Sequence, residues 1–216
     1  MTSDELLSAL ALAVGGYLLG SIPVAWLVTR IHLGVDLRTT GSGNVGVLNT
    51  ALSVHRWAGL LVFLTEIAKG VIVVLAGRHL AGHDVAIGAA ALGAFVGTRW
   101  PVWLRFRGGR GNTVAASSLA LIAPLAVIAL AVLWMSVRFA GRTNFTATRV
   151  MLAALPVALG LAAGSWLWAV VGLAYAGLFL TTHREGTDDH MIARQQYRTL
   201  GRFLTAPRRQ RHRRPS

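Results

Sequence analysis

Long runs of apolar residues without a single charge dominate this chain. The clearest extend from Val114 to Val137 and from Val150 to Thr182, and an earlier run extends from Leu6 to Val28. About 20 apolar residues in a helix cross a hydrocarbon core of about 30 Å. The pattern therefore predicts an all-α integral membrane protein, because a helix satisfies its own backbone hydrogen bonds in lipid.

The polar segments between the apolar runs predict which side of the membrane each faces. Arginine is absent before the first run, but it occurs three times within 29–56, once within 77–84 and four times within 97–112. Cytoplasmic loops are enriched in Lys and Arg. We therefore expect the N-terminus and 77–84 outside, 29–56 and 97–112 inside, and three spans at Leu6–Val28, Trp57–Ala76 and Val85–Val96.

The second half of the chain is compatible with a total of five or seven spans. Pro124 interrupts one apolar run, and Gly160, Gly164 and Ser165 interrupt the next. If each run turns back at its interruption, four short helices replace two long ones, and the arginine-containing segment 138–149 becomes cytoplasmic. We therefore expect seven transmembrane helices, some of them short, with the C-terminus in the cytoplasm.

The chain has a formal net charge of +13, and much of this charge lies in a basic C-terminal tail. Nine of the 20 arginines lie between Arg184 and Arg214. No groove-reading module precedes them, so we expect no nucleic-acid binding, whereas a basic segment beside a membrane is typical of contact with anionic lipids. The expected organisation is one polytopic membrane domain over 1–183 and a basic cytoplasmic tail over 184–216.

Few side chains remain as candidates for catalysis. The chain has no cysteine, which excludes disulfides, thiolate catalysis and cysteine zinc sites, and its histidines form no cluster that predicts a metal. His183 and Asp188 have the spacing of a general-base dyad. The same spacing recurs at His79 and Asp84, so it identifies no base by itself.

One pair of charges lies inside an apolar run. Glu66 and Lys69 are three residues apart in the second span, and Lys69 is the sole lysine of the chain. Residues at this separation share one face of a helix. We therefore expect the two to form an ion pair, although charges within a span are also candidates for function.

Two glycine-rich segments lie at the ends of apolar runs. Residues 41–49 read GSGNVGVLN and residues 108–112 read GGRGN. Glycine lets the main chain approach an anion closely, and consecutive N–H groups in such turns hold phosphate oxygens. Both segments are predicted to be cytoplasmic, which favours chemistry on a phosphorylated, membrane-associated substrate. A serine such as Ser42 is equally typical of a helix cap.

Five ordered motifs resemble one family in residue type and spacing. They are YLLGSIP at 17–23, GSGNVG at 41–46, EIAKG at 66–70, PVWLRFRGGRG at 101–111 and HRE at 183–185. From about Leu6 to Arg184 the chain resembles the bacterial integral-membrane acyl-phosphate:glycerol-3-phosphate acyltransferases. This resemblance implies a seven-helix, multi-pass enzyme of the bacterial inner (cell) membrane, with its active site on the cytoplasmic face.

The implied reaction transfers a fatty acyl group from acyl phosphate to the 1-hydroxyl of glycerol 3-phosphate and gives lysophosphatidic acid for phospholipid biosynthesis. No cofactor is implied, because an acyl phosphate is already activated and needs chiefly placement and charge stabilisation. Each substrate carries one phosphate, which agrees with two glycine-rich segments near arginines. In this family the donor's own phosphate would accept the hydroxyl proton.

The resemblance also assigns roles to ten residues. The positions that match catalytic residues are Ser42, Arg110 and His183. The positions that match substrate- or phosphate-binding residues are Gly43, Asn44, Gly46, Asn49, Gly108, Gly109 and Gly111. Arg110 stands where the family usually has lysine, so the charge is kept while the compact ammonium becomes a planar fork.

The chain departs from the family pattern at several positions. Leu52 replaces an arginine, Thr98 a histidine and Gly186 an asparagine, and residues 146–149, TATR, lack a serine–glycine pair. The arginines that could compensate are Arg56, Arg99 and Arg149. These losses leave an alternative open, a catalytically impaired membrane paralogue that acts as a scaffold or binds lipids or anions. A transporter is a third reading, but no clear inverted repeat supports it.

Overall fold

The fold is helical, as a computed structural model shows for residues 2–181 of the 216-residue chain. No β-strand occurs in this described part, which confirms the predicted all-α class. Short 3₁₀ turns occur at Leu37–Thr39 and Val102–Leu104. The α-helices are α1 Ser3–Ser21, α2 Val24–Leu33, α3 Val47–Ser53, α4 Arg56–Leu80, α5 Asp84–Arg99, α6 Asn112–Ile122, α7 Pro124–Phe139, α8 Asn144–Ala163 and α9 Trp166–Leu180.

The described residues form two compact units. Residues 2–24 and 63–181 form the first, which we call the helical unit because it contains α1 and α5 to α9. Residues 25–62 form the second, which we call the loop unit because it carries the first glycine-rich segment. Helix α4 contributes its first residues to the loop unit and the remainder to the helical unit.

The helices have the length and composition of membrane helices. Four stretches are long and apolar enough to cross a membrane, and they are Ser3–Leu33, Arg56–Leu80, Asp84–Leu104 and Asn144–Ala163. Helices α6, α7 and α9 are apolar but shorter. Large apolar side chains lie on outer surfaces, as at Leu125 with 72% exposure and Leu161 with 80%. Such exposure is expected where lipid replaces water as the solvent.

The expected interruptions of the later apolar runs are confirmed. Helix α6 ends at Ile122 and α7 begins at Pro124, while α8 ends at Ala163 and α9 begins at Trp166. Proline suits the first position of α7 because its missing N–H would have no partner there. Gly164 adopts a left-handed conformation with φ of 67°, which glycine tolerates and which ends α8.

The first predicted span, Leu6–Val28, lies within the apolar stretch Ser3–Leu33, but this stretch contains a break. The run Leu6–Val28 is not one helix, because α1 ends at Ser21 and α2 begins at Val24. Pro23 lacks a backbone N–H, and its ring conflicts with a preceding helical turn. The chain is therefore extended at Ile22, where ψ is 111°.

Helices α1 and α5 pack with their backbones in close contact. A Cβ atom added to Gly16 would collide with the carbonyl group of Ala90, and one added to Gly97 would collide with the carbonyl oxygen of Tyr17. Small residues permit this approach between membrane helices. The carboxyl end of α5, to which the second glycine-rich segment hydrogen-bonds, therefore belongs to a tightly packed pair of helices.

The predicted pair of Glu66 and Lys69 is confirmed. Lys69 Nζ lies 2.7 Å from Glu66 Oε1, and the two residues are only 5% and 8% exposed. Lys69 Nζ also donates to the carbonyl oxygen of Ile22 at 2.6 Å and to that of Gly20 at 3.5 Å. These carbonyls lie where α1 ends, and they also accept from the Val24 N–H at 3.0 Å and from the Thr98 hydroxyl at 3.2 Å. Lys69 therefore adds a charged donor to the cap of the break.

Replacing Lys69 tests this cap. In Lys69→Met, Glu66 loses its partner and the α1 carbonyls lose a donor, so we expect a destabilisation of about 3–5 kcal/mol. The double variant Lys69→Met, Glu66→Met removes the unpaired charge and should recover part of the loss but not the capping contribution. Thermal unfolding in detergent, followed by circular dichroism at the helix band, measures both. A single variant as stable as the parent protein would contradict the assignment.

Candidate functional site

The first glycine-rich segment follows a short turn in the loop unit. Asp36 and Arg38 form an ion pair, with Arg38 Nη2 2.6 Å from Asp36 Oδ2. Hydrogen bonds from the Arg38 guanidinium hold the pKa of the Asp36 carboxyl well below its usual value. Between them, Leu37 is 0% exposed and anchors the turn that leads into residues 40–46.

Asn49 organises this loop from the first turns of α3. Its Nδ2 donates to the carbonyl oxygens of Asn44 at 2.8 Å, Thr40 at 3.0 Å and Leu37 at 3.4 Å. Its Oδ1 accepts from the Ser42 backbone N–H at 3.4 Å. The residue is 0% exposed. Asn49 was predicted to bind substrate, and in this structure its amide group is occupied by contacts that hold the loop in shape.

The backbone N–H groups of this loop are largely used within it. The N–H of Gly43 donates to Thr40 O at 2.9 Å, and that of Gly46 donates to Asn44 O at 3.1 Å. Gly41 and Gly43 have φ of 55° and 74°, so glycine serves here to form the turns. The expected open cradle of glycine N–H groups is therefore not present at these positions.

Ser42 does not cap a helix. Its Oγ accepts from the backbone N–H of Asn44 at 3.2 Å, whereas the N-cap of α3 is Gly46. Ser42, Gly43 and Asn44 are half-buried. The capping alternative for Ser42 is thus excluded.

The second glycine-rich segment closes onto the end of α5 in the helical unit. The N–H of Gly108 donates to Arg99 O and the N–H of Gly109 donates to Thr98 O, both at 3.2 Å. Arg99 Nη1 donates to Gly109 O at 3.1 Å. A Cβ added to Gly108 would collide with Pro101 and with the Thr98 carbonyl oxygen. Gly108 therefore allows close contact within the protein, and the hydrogen bonds of Gly109 hold the loop against the end of α5.

Gly111 connects this loop to α6. It has φ of 72°, and a Cβ there would lie 2.8 Å from Cδ2 of Phe95, which is 1% exposed. Phe95 packs on Tyr175 with ring centroids 5.1 Å apart, and the Tyr175 hydroxyl lies 3.2 Å from Ser118 Oγ of α6. Gly111 is thus required by its conformation and by the aromatic core beneath it.

Arg110 is half-buried and lies directly before the first turn of α6. The N–H groups of Asn112, Thr113 and Val114 have no acceptor inside a helix that begins at Asn112. They also carry the positive end of the helix dipole. A guanidinium beside such a helix start is well suited to a phosphate.

An exposed tip within the same loop was not predicted. Arg105 and Phe106 both adopt left-handed conformations, with φ of 53° and 59°, which is costly for residues with a Cβ. Trp103 and Phe106 are 64% and 58% exposed, and Arg107 is also exposed. The strained backbone that presents the aromatic rings has no sequence signal.

Two of the arginines that could compensate for the replaced family residues make contacts with different segments. Arg99 contacts the second loop, as described above. Arg149 on α8 is exposed and lies over the ring of Phe145, with its Cζ 4.6 Å from the centroid. Thr98, in place of a histidine, donates to Gly20 O at 3.2 Å and to Ala94 O at 3.0 Å. Thr98 therefore ties α5 to α1.

The remaining predictions concern metal binding and His183. Among residues 2–181, no group of three or more His, Asp or Glu side chains is arranged to hold a metal ion. The predicted catalytic residue His183, its dyad candidate Asp188 and the tail 184–216 lie outside the described residues.

The variant Asn49→Asp tests the role of Asn49. It preserves the shape of the side chain but replaces the Nδ2 donor by an oxygen that faces three carbonyl groups, so we expect destabilisation of about 1–3 kcal/mol and faster exchange of the loop amides. Ser53→Ala, which removes only the bond from Ser53 Oγ to Asn49 Oδ1 at 3.2 Å, is the matched control. Hydrogen–deuterium exchange of residues 37–49 measures the effect, and equal exchange in both variants would disprove it.

Comparison with known proteins identifies relatives of this chain. Residues 10–191 match the glycerol-3-phosphate acyltransferase family. The glycerol-3-phosphate acyltransferase of Geotalea daltonii is 35% identical over 82% of this chain and 91% of its own length. That of Anaeromyxobacter dehalogenans strain 2CP-1 is 38% identical over 85% of this chain and 93% of its own length.

A solved structure shares the fold. PlsY, an integral membrane glycerol 3-phosphate acyltransferase, in its glycerol 3-phosphate form, superposes with a TM-score of 0.71 and 27% identity, covering 88% of this chain and 92% of that protein. Its lysophosphatidic acid form gives a TM-score of 0.69. Together with the apolar helices and the closed glycine loops, these matches show that the chain is a membrane protein that belongs to the glycerol-3-phosphate acyltransferase family.

Proposed function

We propose that this chain transfers a fatty acyl group from acyl phosphate to the 1-hydroxyl of glycerol 3-phosphate. The products are lysophosphatidic acid and inorganic phosphate, and the reaction belongs to phospholipid biosynthesis. Family membership supports the enzyme class. The observation that carries the proposal for this chain is Arg110, a half-buried guanidinium at the start of α6 on a loop closed by hydrogen bonds.

The proposed chemistry needs no protein nucleophile. The hydroxyl oxygen of glycerol 3-phosphate attacks the acyl carbonyl carbon, the bond from that carbon to the phosphate oxygen breaks, and the departing phosphate takes the hydroxyl proton. The protein then accelerates the reaction by holding the two groups together and by balancing the charge that collects on the phosphate. Arg110 and the first N–H groups of α6 supply positive charge of this kind.

The first loop has a complementary role in the proposal. Ser42 and Asn44 are its half-buried polar residues, Gly43 forms a turn with φ of 74°, and Gly46 is the N-cap of α3. Asn49 acts from beneath by holding the loop. Gly108, Gly109 and Gly111 do the same for Arg110, while His183 remains the candidate for orienting a substrate near the end of the membrane domain.

Anionic lipids are the proposed surroundings of the exposed tip at 103–107. Its aromatic side chains suit the interface between headgroups and acyl chains, and its arginines attract anionic headgroups. The strained backbone at Arg105 and Phe106 is a cost that such contacts offset.

The proposed topology is a multi-pass protein of the bacterial inner (cell) membrane with seven spans, the N-terminus outside and the C-terminus cytoplasmic. Three short apolar helices add to the four long stretches, and the arginines favour this orientation. The membrane domain would occupy 1–183 and the basic tail 184–216.

Single cysteines test the topology, since the chain has none of its own. In intact cells, variants Ser42→Cys, Asn112→Cys and Ser216→Cys should resist an impermeant thiol reagent, whereas Ser3→Cys should react. All four should react after permeabilisation, which controls for burial. Labelling of Ser42→Cys or Asn112→Cys in intact cells would overturn the cytoplasmic placement of that loop.

An assay with Arg110 variants tests the function. Purified protein given acyl phosphate and glycerol 3-phosphate should release phosphate and form lysophosphatidic acid in equal amounts. Arg110→Ala should lose about 2–4 kcal/mol of transition-state stabilisation, because a preorganised charge is removed. Arg110→Lys should retain activity, and Arg107→Ala, an exposed arginine of the same loop, is the control. No turnover by the parent protein would favour the impaired paralogue, and a fully active Arg110→Ala would reject the role of Arg110.

A further inference from the structure

Arg99 contacts the second glycine-rich loop through both its main chain and its side chain. It is the last residue of α5, and its carbonyl oxygen accepts the N–H of Gly108 at 3.2 Å. Its Nη1 atom donates to the carbonyl oxygen of Gly109 at 3.1 Å. The two contacts hold successive residues of the loop from the same point.

The carbonyl that Arg99 binds belongs to the peptide group that joins Gly109 to Arg110. A peptide group is planar, so its C=O and N–H point in opposite directions and move together. A contact that holds the Gly109 carbonyl therefore also sets the direction of the Arg110 N–H and the position of its Cα atom. Successive glycines have wide backbone freedom, so without such a contact this peptide could rotate.

Arg99 itself is attached to a rigid support. Its guanidinium lies over the ring of Trp100, with Cζ 5.4 Å from the centroid, and the carbonyl oxygen of Trp100 accepts the Tyr17 hydroxyl at 3.0 Å. The preceding residue, Thr98, is bonded to Gly20 O of α1. Arg99 thus connects the packed α1–α5 pair to the loop.

We infer that Arg99 is a positioning residue, which orients the Gly109–Arg110 peptide so that Arg110 and the start of α6 face the substrate phosphate together. This inference rests on the proposed function of Arg110 and adds a residue to which the resemblance gave no role beyond compensation. Arg99 acts through Arg110 and does not need to touch the substrate.

A double-mutant cycle separates action through Arg110 from an independent effect. We expect Arg99→Met to lower kcat/KM about 10- to 100-fold, since a displaced charge loses much of its effect. With Arg110→Met already present, the same change should cost less than about threefold, because coupled residues are not additive. Arg99→Lys, which keeps a charged donor, should recover part of the loss. Equal fold losses in both backgrounds would overturn the inference.

Arg105→Met is the matched control. Arg105 lies on the same loop but is exposed and has a left-handed backbone of its own. Its effect on kcat/KM in detergent should be small and equal with or without Arg110→Met. A coupling as large as that of Arg99 would show that any charge on this loop acts on Arg110, which also overturns the inference.

Hydrogen–deuterium exchange of residues 108–112 tests whether Arg99 holds the loop, and this measurement does not require enzymatic turnover. Arg99→Met should speed exchange of these amides, whereas Arg105→Met should not, and Arg99→Lys should lie between. Unchanged exchange in a folded Arg99→Met variant would reject the positioning role, whatever the activity. Faster exchange together with a parent protein that has no turnover would support the loop contact and reject the proposed function instead.

Discussion

The structure depends on satisfying carbonyl groups where apolar helices break. Lipid offers no hydrogen bonds, so carbonyls that lose their helical N–H partners need a donor from the protein. Two breaks precede prolines, Pro23 and Pro124, and α4 supplies a cation to each. Lys69 donates to Ile22 O at 2.6 Å, and Arg78 Nη2 donates to Leu121 O at 2.7 Å. Helix α4 thereby allows short helices where a continuous apolar run would otherwise be expected.

In the helical unit, the tight packing of α1 on α5 supports the second glycine-rich loop. The α1–α5 contact requires small residues such as Gly16 and Gly97, and it supports the end of α5, from which residues 98–109 fold back on themselves. The N–H groups of Gly108 and Gly109 are used in that closure. In the proposed mechanism, positive charge for the substrate phosphate comes from Arg110 and from the start of α6, and glycine contributes by allowing the geometry.

The departures from the family pattern have structural explanations in part. Thr98 uses its hydroxyl to join α5 to α1, and Arg99 beside it binds the loop that carries Arg110. Leu52 is half-buried on α3, and nothing in the structure explains what replaces an arginine there. Membership of the glycerol-3-phosphate acyltransferase family favours an enzyme over a scaffold.

The sequence alone determined the helical class, the breaks at Pro124 and Gly164, the Glu66–Lys69 pair and the family, because apolar runs, prolines and short motifs are local signals. The break before Pro23 has the same kind of local signal, the proline, which the hydropathy pattern of the first span does not register. Only the tertiary structure decided that Lys69, distant along the chain, donates to the carbonyl oxygen of Ile22 at this break. It also decided that Asn49 is buried, because the three carbonyls that its amide binds come together only when the loop closes. The hydrogen-bond partners of a side chain depend on which distant segments meet in the folded protein. The local sequence pattern does not predict these contacts.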